Sequence, residues 1–330
     1  MKRVSVLLIV VIFLAGCAGK AEPVRMTDFA LGTVCSVTLY DPDKESLLPE
    51  VFSRMREYEN ILSRNIPDSE ISDLNRNAGV APVAMSDIAY SLLDMGLRYG
   101  DISRGLFDIT IAPVTELWGI GTDHAAVPDS ALLQKTLSHV DYHRLILDGE
   151  KQTAFLEERE SAVDLGGIAK GYIGDLICDF LRKEHVSGGI LDLGGNILVF
   201  GKKPDGSDFR VGIQNPFKPR GNYIGIVSMK EGTVVTSGIY ERFFEQGGMK
   251  YHHIFDTRTG YPVDNELAGV SIITDVSAAG DALSTTVFAM GLEEGKAFLE
   301  SLPGTEGVFI TRDNRVIITS GLKDRFTAAR

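Results

Sequence analysis

Asp164-Leu-Gly-Gly-Ile-Ala-Lys-Gly-Tyr-Ile-Gly-Asp175 follows the short apolar pair Ala162-Val163. The order predicts a brief strand, a glycine turn and a helix from about Ile168. Backbone N–H groups at such a junction can face an anion, and the helix dipole favours negative charge there. Lys170 adds one mobile positive charge. Gly166 and Gly167 carry no Cβ, so a ligand or a metal can approach the main chain closely. A glycine-rich turn with a solvated lysine accounts for the same residues, and spacing alone does not separate the two readings.

Outward from this run, helix and strand patterns mix. Residues 33–40 alternate and are β-branched, as a strand requires. Leu47, Val51, Met55, Tyr58 and Leu62 recur at helical spacing, and so do Ile88, Leu92, Met95 and Tyr99. Strands are expected at Ile190–Phe200, Ile224–Met229 and Gly269–Ile273, helices at Asp281–Met290 and Leu292–Leu302, and a closing hairpin around Asp313-Asn314. There is no strict βαβ alternation, which predicts an α+β fold rather than a doubly wound parallel sheet. At 330 residues, the chain has length for about two domains or one two-lobed unit.

Composition narrows the function. With 44% hydrophobic and 24% charged residues the chain reads as globular. Its formal charge of −12 does not favour nucleic acid. An acidic protein that handles phosphates must concentrate positive charge locally, through metal ions or helix ends. Three cysteines do not make a disulfide scaffold. Walker A, G-x-G-x-x-G, H-E-x-x-H, C-x-x-C and G-x-S-x-G patterns are all missing from the sequence.

Several smaller patterns carry chemistry. Asp281 and Thr285 stand four apart on a predicted helix and share a face. A carboxylate and a hydroxyl are hard donors suited to Mg²⁺, although Asp281 as an N-cap explains the pair as well. His253 lies three residues before Asp256, the spacing of a tuned general base or of a strand end entering a turn. Asp192-Leu-Gly-Gly-Asn196 puts two glycines inside strand-like sequence, which predicts a bulge. His139 and His143 are four apart but sit among apolar residues, a weak case for a metal pair.

The N-terminus reads as a targeting segment. Lys2 and Arg3 precede an apolar stretch from Val4 to Phe13, too short for a comfortable membrane span. Leu14-Ala15-Gly16-Cys17 then resembles the bacterial lipobox. Residues 1–16 are expected to be a signal peptide, Cys17 the lipidated residue, 17–25 a tether and 26–330 the catalytic domain. Lipidation places that domain outside the cytoplasm, on the periplasmic face of a bacterial membrane, and the sequence does not distinguish the inner membrane from the outer.

Taken together and in order, the segments resemble the ApbE-type FAD:protein FMN transferases. The matching stretches are Leu31-Gly-Thr33, Leu62-Ser63 with Pro67 to Asn75, Phe107 to Thr110 leading to Leu117-Trp118-Gly119, Asp164 to Tyr172, Asp192 to Asn196, Gly212 to Pro216, Thr236 to Gly238, His253 to Gly260, and Asp281 to Thr286. The resemblance implies a two-lobed α+β unit with a T-fold-like core. It implies FAD as substrate and Mg²⁺ as cofactor. It also implies transfer of FMN to a threonine hydroxyl of an acceptor, with AMP departing. Acceptors in such systems are subunits of membrane redox pumps or extracytoplasmic flavoproteins. Carried onto this chain, Asp281, Thr285 and the carbonyl near Gly167 would hold the metal, and His253 would take the threonine proton with Asp256 orienting it. Lys170 would add positive potential at the diphosphate, Asp164, Asn65 and His253 would belong to the FAD-binding set, and Leu31, Asn75, Phe107 and Tyr240 would line the cleft around the flavin or the adenine. The chain departs from the family pattern at Asn65, where many members have Tyr. That change removes a stacking surface and makes Mg²⁺-dependent FAD hydrolysis to FMN and AMP an alternative reading. A non-enzymatic flavin-binding lipoprotein is the third.

Overall fold

The computed structural model describes residues 22–329. The predicted signal segment, Cys17 and most of the tether lie outside them. The end of the expected tether does not: Val24–Ala30 is already a strand, paired antiparallel with Thr33–Leu39 from Val24↔Leu39 to Ala30↔Thr33. The folded unit therefore includes Val24 and Arg25, two residues earlier than the reading placed it.

Eight strands form one sheet in the spatial order Val24–Ala30, Thr33–Leu39, Gly188–Leu193, Ile197–Gly201, Gly232–Gly238, Leu267–Thr274, Glu306–Thr311 and Val316–Ile318. Every neighbouring pair is antiparallel. The α+β class is as predicted. Thr33–Leu39 and Gly188–Leu193 lie side by side, yet the chain between them leaves the sheet to build a helical lobe. That lobe contains Leu47–Leu62, Glu70–Arg76, Asp87–Ser103, Ala112–Trp118, Ser130–Leu137 and Ala169–Lys183. Leu47–Leu62 packs as its period requires, burying Leu48, Val51, Phe52, Met55 and Leu62.

The central strand Leu267–Thr274 is buried at every residue because both of its faces are covered. One face packs against a three-stranded sheet (Phe209–Gln214, Tyr223–Met229, Phe326–Ala328), with Ile213, Val227, Ile273 and Val308 between them. The other carries the helices Ser277–Met290 and Leu292–Glu300, sealed by Ile272, Val287, Phe288 and Phe309. Among the described residues no helix is long and apolar enough to cross a membrane.

Two local expectations change, and the weak case for a histidine metal pair gains no support. The predicted Ile190–Phe200 strand with a bulge is two strands joined by a turn at Gly194 (φ +72°) and Gly195 (φ +114°). A Cβ on Gly194 would stand 2.4 Å from the Thr33 hydroxyl oxygen, so only glycine fits this turn. The helix expected from Asp281 begins at Ser277, which puts Asp281 one turn inside it and removes the N-cap explanation. His139 contacts Glu158 and His143 contacts Asp141, so the two imidazoles serve separate carboxylates.

Candidate functional site

The site forms where the helical lobe returns to the sheet. Asp164 makes the turn there: its Oδ1 accepts from Gly166 N at 2.8 Å, and Oδ2 accepts from Arg64 Nε at 3.0 Å. The chain then passes Gly167 and enters the Ala169–Lys183 helix. A Cβ placed on Gly167 would lie 3.1 Å from Phe107 Cε2 and 3.9 Å from Thr285 Oγ1. The bare backbone of this turn thus faces the Ser277–Met290 helix across a narrow gap walled by Phe107.

Asp281 is the acidic centre of that gap and is 5% exposed. Its Oδ2 accepts from Gly171 N at 2.6 Å, its Oδ1 accepts from Asn196 Nδ2 at 2.7 Å, and Lys170 Nζ stands 3.7 Å from Oδ1. A buried carboxylate persists only where donors and opposite charge offset its lost hydration. Both oxygens keep lone pairs beyond these bonds. One turn along the helix, the Thr285 hydroxyl has no hydrogen-bond partner among the described residues. A carboxylate, a free hydroxyl and a glycine carbonyl are all hard oxygen donors. Mg²⁺ characteristically takes one or two carboxylates and completes its shell with water and substrate phosphate. Among the described residues there is no group of three or more His, Cys, Asp or Glu that could hold a metal ion.

His253 follows the Met249–His252 strand. Its Nδ1 lies 3.2 Å from the Arg242 carbonyl, which also accepts the His253 backbone N–H. A carbonyl only accepts, so Nδ1 carries the proton and Nε2 keeps its lone pair. Burial pushes the imidazole down to about 4; the Arg242 carbonyl opposes this, while the positive charges of Arg242 and Lys170 add to it. The ring is therefore neutral near pH 7, the state a general base needs. The strand is held from behind by Trp118. Its ring packs 5.4 Å from Tyr251 and 5.9 Å from Phe255, and its Nε1 donates to the Gly260 carbonyl at 2.8 Å.

Asp256 does not orient His253. Its carboxylate accepts from the Arg258 backbone N, Nε and Nη2, each at 2.9 Å, and this guanidinium holds it below the ordinary carboxylate range. The Asp256 carbonyl meanwhile accepts from Thr259 N and Gly260 N, closing the turn on the side away from His253 in sequence.

Other expected residues are placed with varying relation to this centre. Asn75 spends both ends of its amide on the Val163 backbone, donating at 3.0 Å and accepting at 2.7 Å, and so fixes the strand before the turn. Asp164 shapes the same turn and anchors Arg64, next to which Asn65 is exposed. Leu31 occupies the tip of the first hairpin at φ +55°, its N–H held by Glu59 Oε2 at 2.9 Å. Tyr240 lines a cavity of about 570 Å³ with Asp192, Gly195, Arg210, Thr236 and Glu241. Its buried hydroxyl has no partner, and burial raises its pKa well above the usual tyrosine value. The geometry gathers Phe107, Gly167, Lys170, Asp281 and Thr285; no hydrogen bond among the described residues ties Leu31, Asn65, Asn75, Tyr240 or His253 to Asp281 or Thr285.

Sequence reading gave no role to Asn196 and did not find the Arg242 carbonyl. Asn196 is 3% exposed and serves Asp281 from 85 positions away. Its local mark is its place at the end of the glycine run from Asp192 to Asn196, which predicts a bulge and no role for the amide.

A model described as the ApbE family matches residues 31–309. A FAD:protein FMN transferase of Treponema pallidum (strain Nichols) is 35% identical over 98% of this chain and 94% of its own length. Another, from Klebsiella pneumoniae (strain 342), is also 35% identical, over 90% of this chain and 92% of its own. Among solved structures, the ApbE protein of Thermotoga maritima matches with a TM-score of 0.86 at 26% identity, covering 92% of this chain and 99% of that one. The flavin transferase ApbE from Vibrio cholerae matches at 0.82 with 26% identity over the same shares.

Proposed function

The chain belongs to the ApbE family, and from that premise we propose that it transfers the FMN half of FAD to a threonine hydroxyl of an acceptor protein. The observation that carries the chemistry is the buried Asp281 carboxylate facing the Gly167–Lys170 turn, with the free Thr285 hydroxyl one turn away. Asp281, Thr285 and the Gly167 carbonyl are the proposed Mg²⁺ ligands. When bound, the ion supplies charge neutralisation across the diphosphate. Lys170 adds positive potential at the same oxygens. Nε2 of His253 takes the proton of the threonine hydroxyl, whose oxygen forms a bond to the flavin-side phosphorus as the bond to AMP breaks. Phosphoryl transfer needs positioning and neutralisation more than covalent help, and these residues supply both.

Purified protein incubated with FAD and Mg²⁺, with and without a threonine-bearing acceptor, tests the reading. AMP together with a covalently fluorescent acceptor is the expected result. AMP with free FMN and no acceptor labelling would assign hydrolysis instead, the reading that Asn65 favours. Intact FAD retained without AMP would make the chain a binding protein.

The chain's working place is part of the proposal. Cys17 is lipidated after cleavage of residues 1–16 and holds the enzyme on the extracytoplasmic face, where membrane redox-pump subunits or exported flavoproteins serve as acceptors. Cys17→Ser is expected to move the protein from the membrane fraction to the soluble fraction of a bacterial host. Mass spectrometry should show the diacylglyceryl group lost and the catalytic rate unchanged. Retention of the variant in the membrane would refute the anchor.

A further inference from the structure

The Ala169–Lys183 and Ser277–Met290 helices meet through rungs four residues apart on each side. Gly167 faces Thr285, Gly171 N donates to Asp281, and Asp175 reaches the start of the second helix. That start lacks a cap of its own. Its N-cap residue is Val276, whose side chain accepts no hydrogen bond. The first N–H groups of a helix have no intrahelical partner and require one from elsewhere. Asp175 supplies it from the other helix: Oδ1 accepts from Ser277 N and Oδ2 from Ala278 N, both at 2.9 Å. Beside this clasp the backbones touch, since a Cβ on Gly171 would fall 2.2 Å from the Ser277 carbonyl oxygen.

Resting on the proposed Mg²⁺-dependent transfer, we infer that Asp175 is a positioning residue that fixes the start of the Ser277–Met290 helix so that Asp281 and Thr285 face Gly167. The clasp sets the rotation and the rise of that helix against the turn. Ser277 and Asp281 share one face, so displacement at the first is carried by a rigid helical turn to the second. The carboxylate is held there at a cost, since burial pushes its pKa up to about 6. Asparagine matches it in shape but presents only one acceptor to the two N–H groups.

The test is calorimetric titration of Mg²⁺ into the FAD-loaded protein, run beside steady-state turnover and thermal unfolding. Asp175→Ala is expected to weaken Mg²⁺ binding about 10- to 100-fold, the range seen when a residue that orients a metal ligand is lost. Adding Val276→Asp, which restores a cap from within the helix, is expected to regain most of it. Asp175→Asn, the variant most certain to fold, is expected to fall between. Unchanged Mg²⁺ affinity in Asp175→Asn and Asp175→Ala, or recovery of melting temperature without recovery of affinity in the double variant, would overturn the inference. A wild-type chain that binds Mg²⁺ but does not turn FAD over would overturn the proposed activity and leave the positioning role measured. Failure of the wild type to bind Mg²⁺ would overturn both.

Discussion

Asp281→Asn is expected to fold and to lose metal-dependent turnover. The substitution keeps volume at a site that is 5% exposed, so no cavity opens. Its new amide oxygen can still accept from Gly171 N, and its NH₂ can donate to Asn196 once that side chain turns its own oxygen inward. The fold is therefore satisfied while the anionic metal ligand is gone. A polarising metal contributes several kcal/mol to the transition state, and about 1.4 kcal/mol corresponds to a factor of ten, so the loss is about 10³-fold or more. FAD binding without metal should change little, because the remaining contacts stand. AMP release at the wild-type rate from a folded Asp281→Asn protein would refute the assignment of this carboxylate.

His253→Ala should lower transfer by roughly 10²- to 10⁴-fold, the usual contribution of a positioned general base. Flavin affinity should fall far less, since the hydrogen bond of this side chain among the described residues goes to the Arg242 carbonyl of its own fold. The pH profile distinguishes a base from a bystander. The working form is neutral imidazole, and its pKa in the free enzyme is pushed down to about 4. Activity must therefore persist as pH falls through 6.5, the ordinary histidine value, and decline only as it nears 4. An acid limb of kcat/KM at 6.5 or above would contradict the packed, neutral ring described here. Equal losses of FAD binding and transfer in His253→Ala would point to a structural role instead.

The run from Asp164 to Asp175 was legible as a turn and a helix because glycine spacing and apolar period are local properties. The α+β class followed from the same kind of signal: Thr33–Leu39, Leu47–Leu62 and Asp87–Ser103 all form where the patterns place them. Asp281 with Thr285 and Gly167 with Lys170 could each be picked out as a pair, since helical geometry fixes what lies four residues away.

Which of those residues share one centre was a different matter. Asp256 looked like the partner of His253 at three residues' distance, but Arg258 is nearer and carries the full opposite charge. Asn75 looked like a cleft residue until the Val163 backbone took both ends of its amide. Asp281 was open to reading as a cap until the helix proved to begin at Ser277 with Asp175 capping it from another element. Sequence alone determined most of the elements, though not all of their bounds, and the chemical types available on each, because backbone propensity and side-chain period act over a few residues. Tertiary structure decided the pairings, because a buried polar group takes whichever partner the packed chain brings within hydrogen-bond reach, and that partner can lie a hundred residues away.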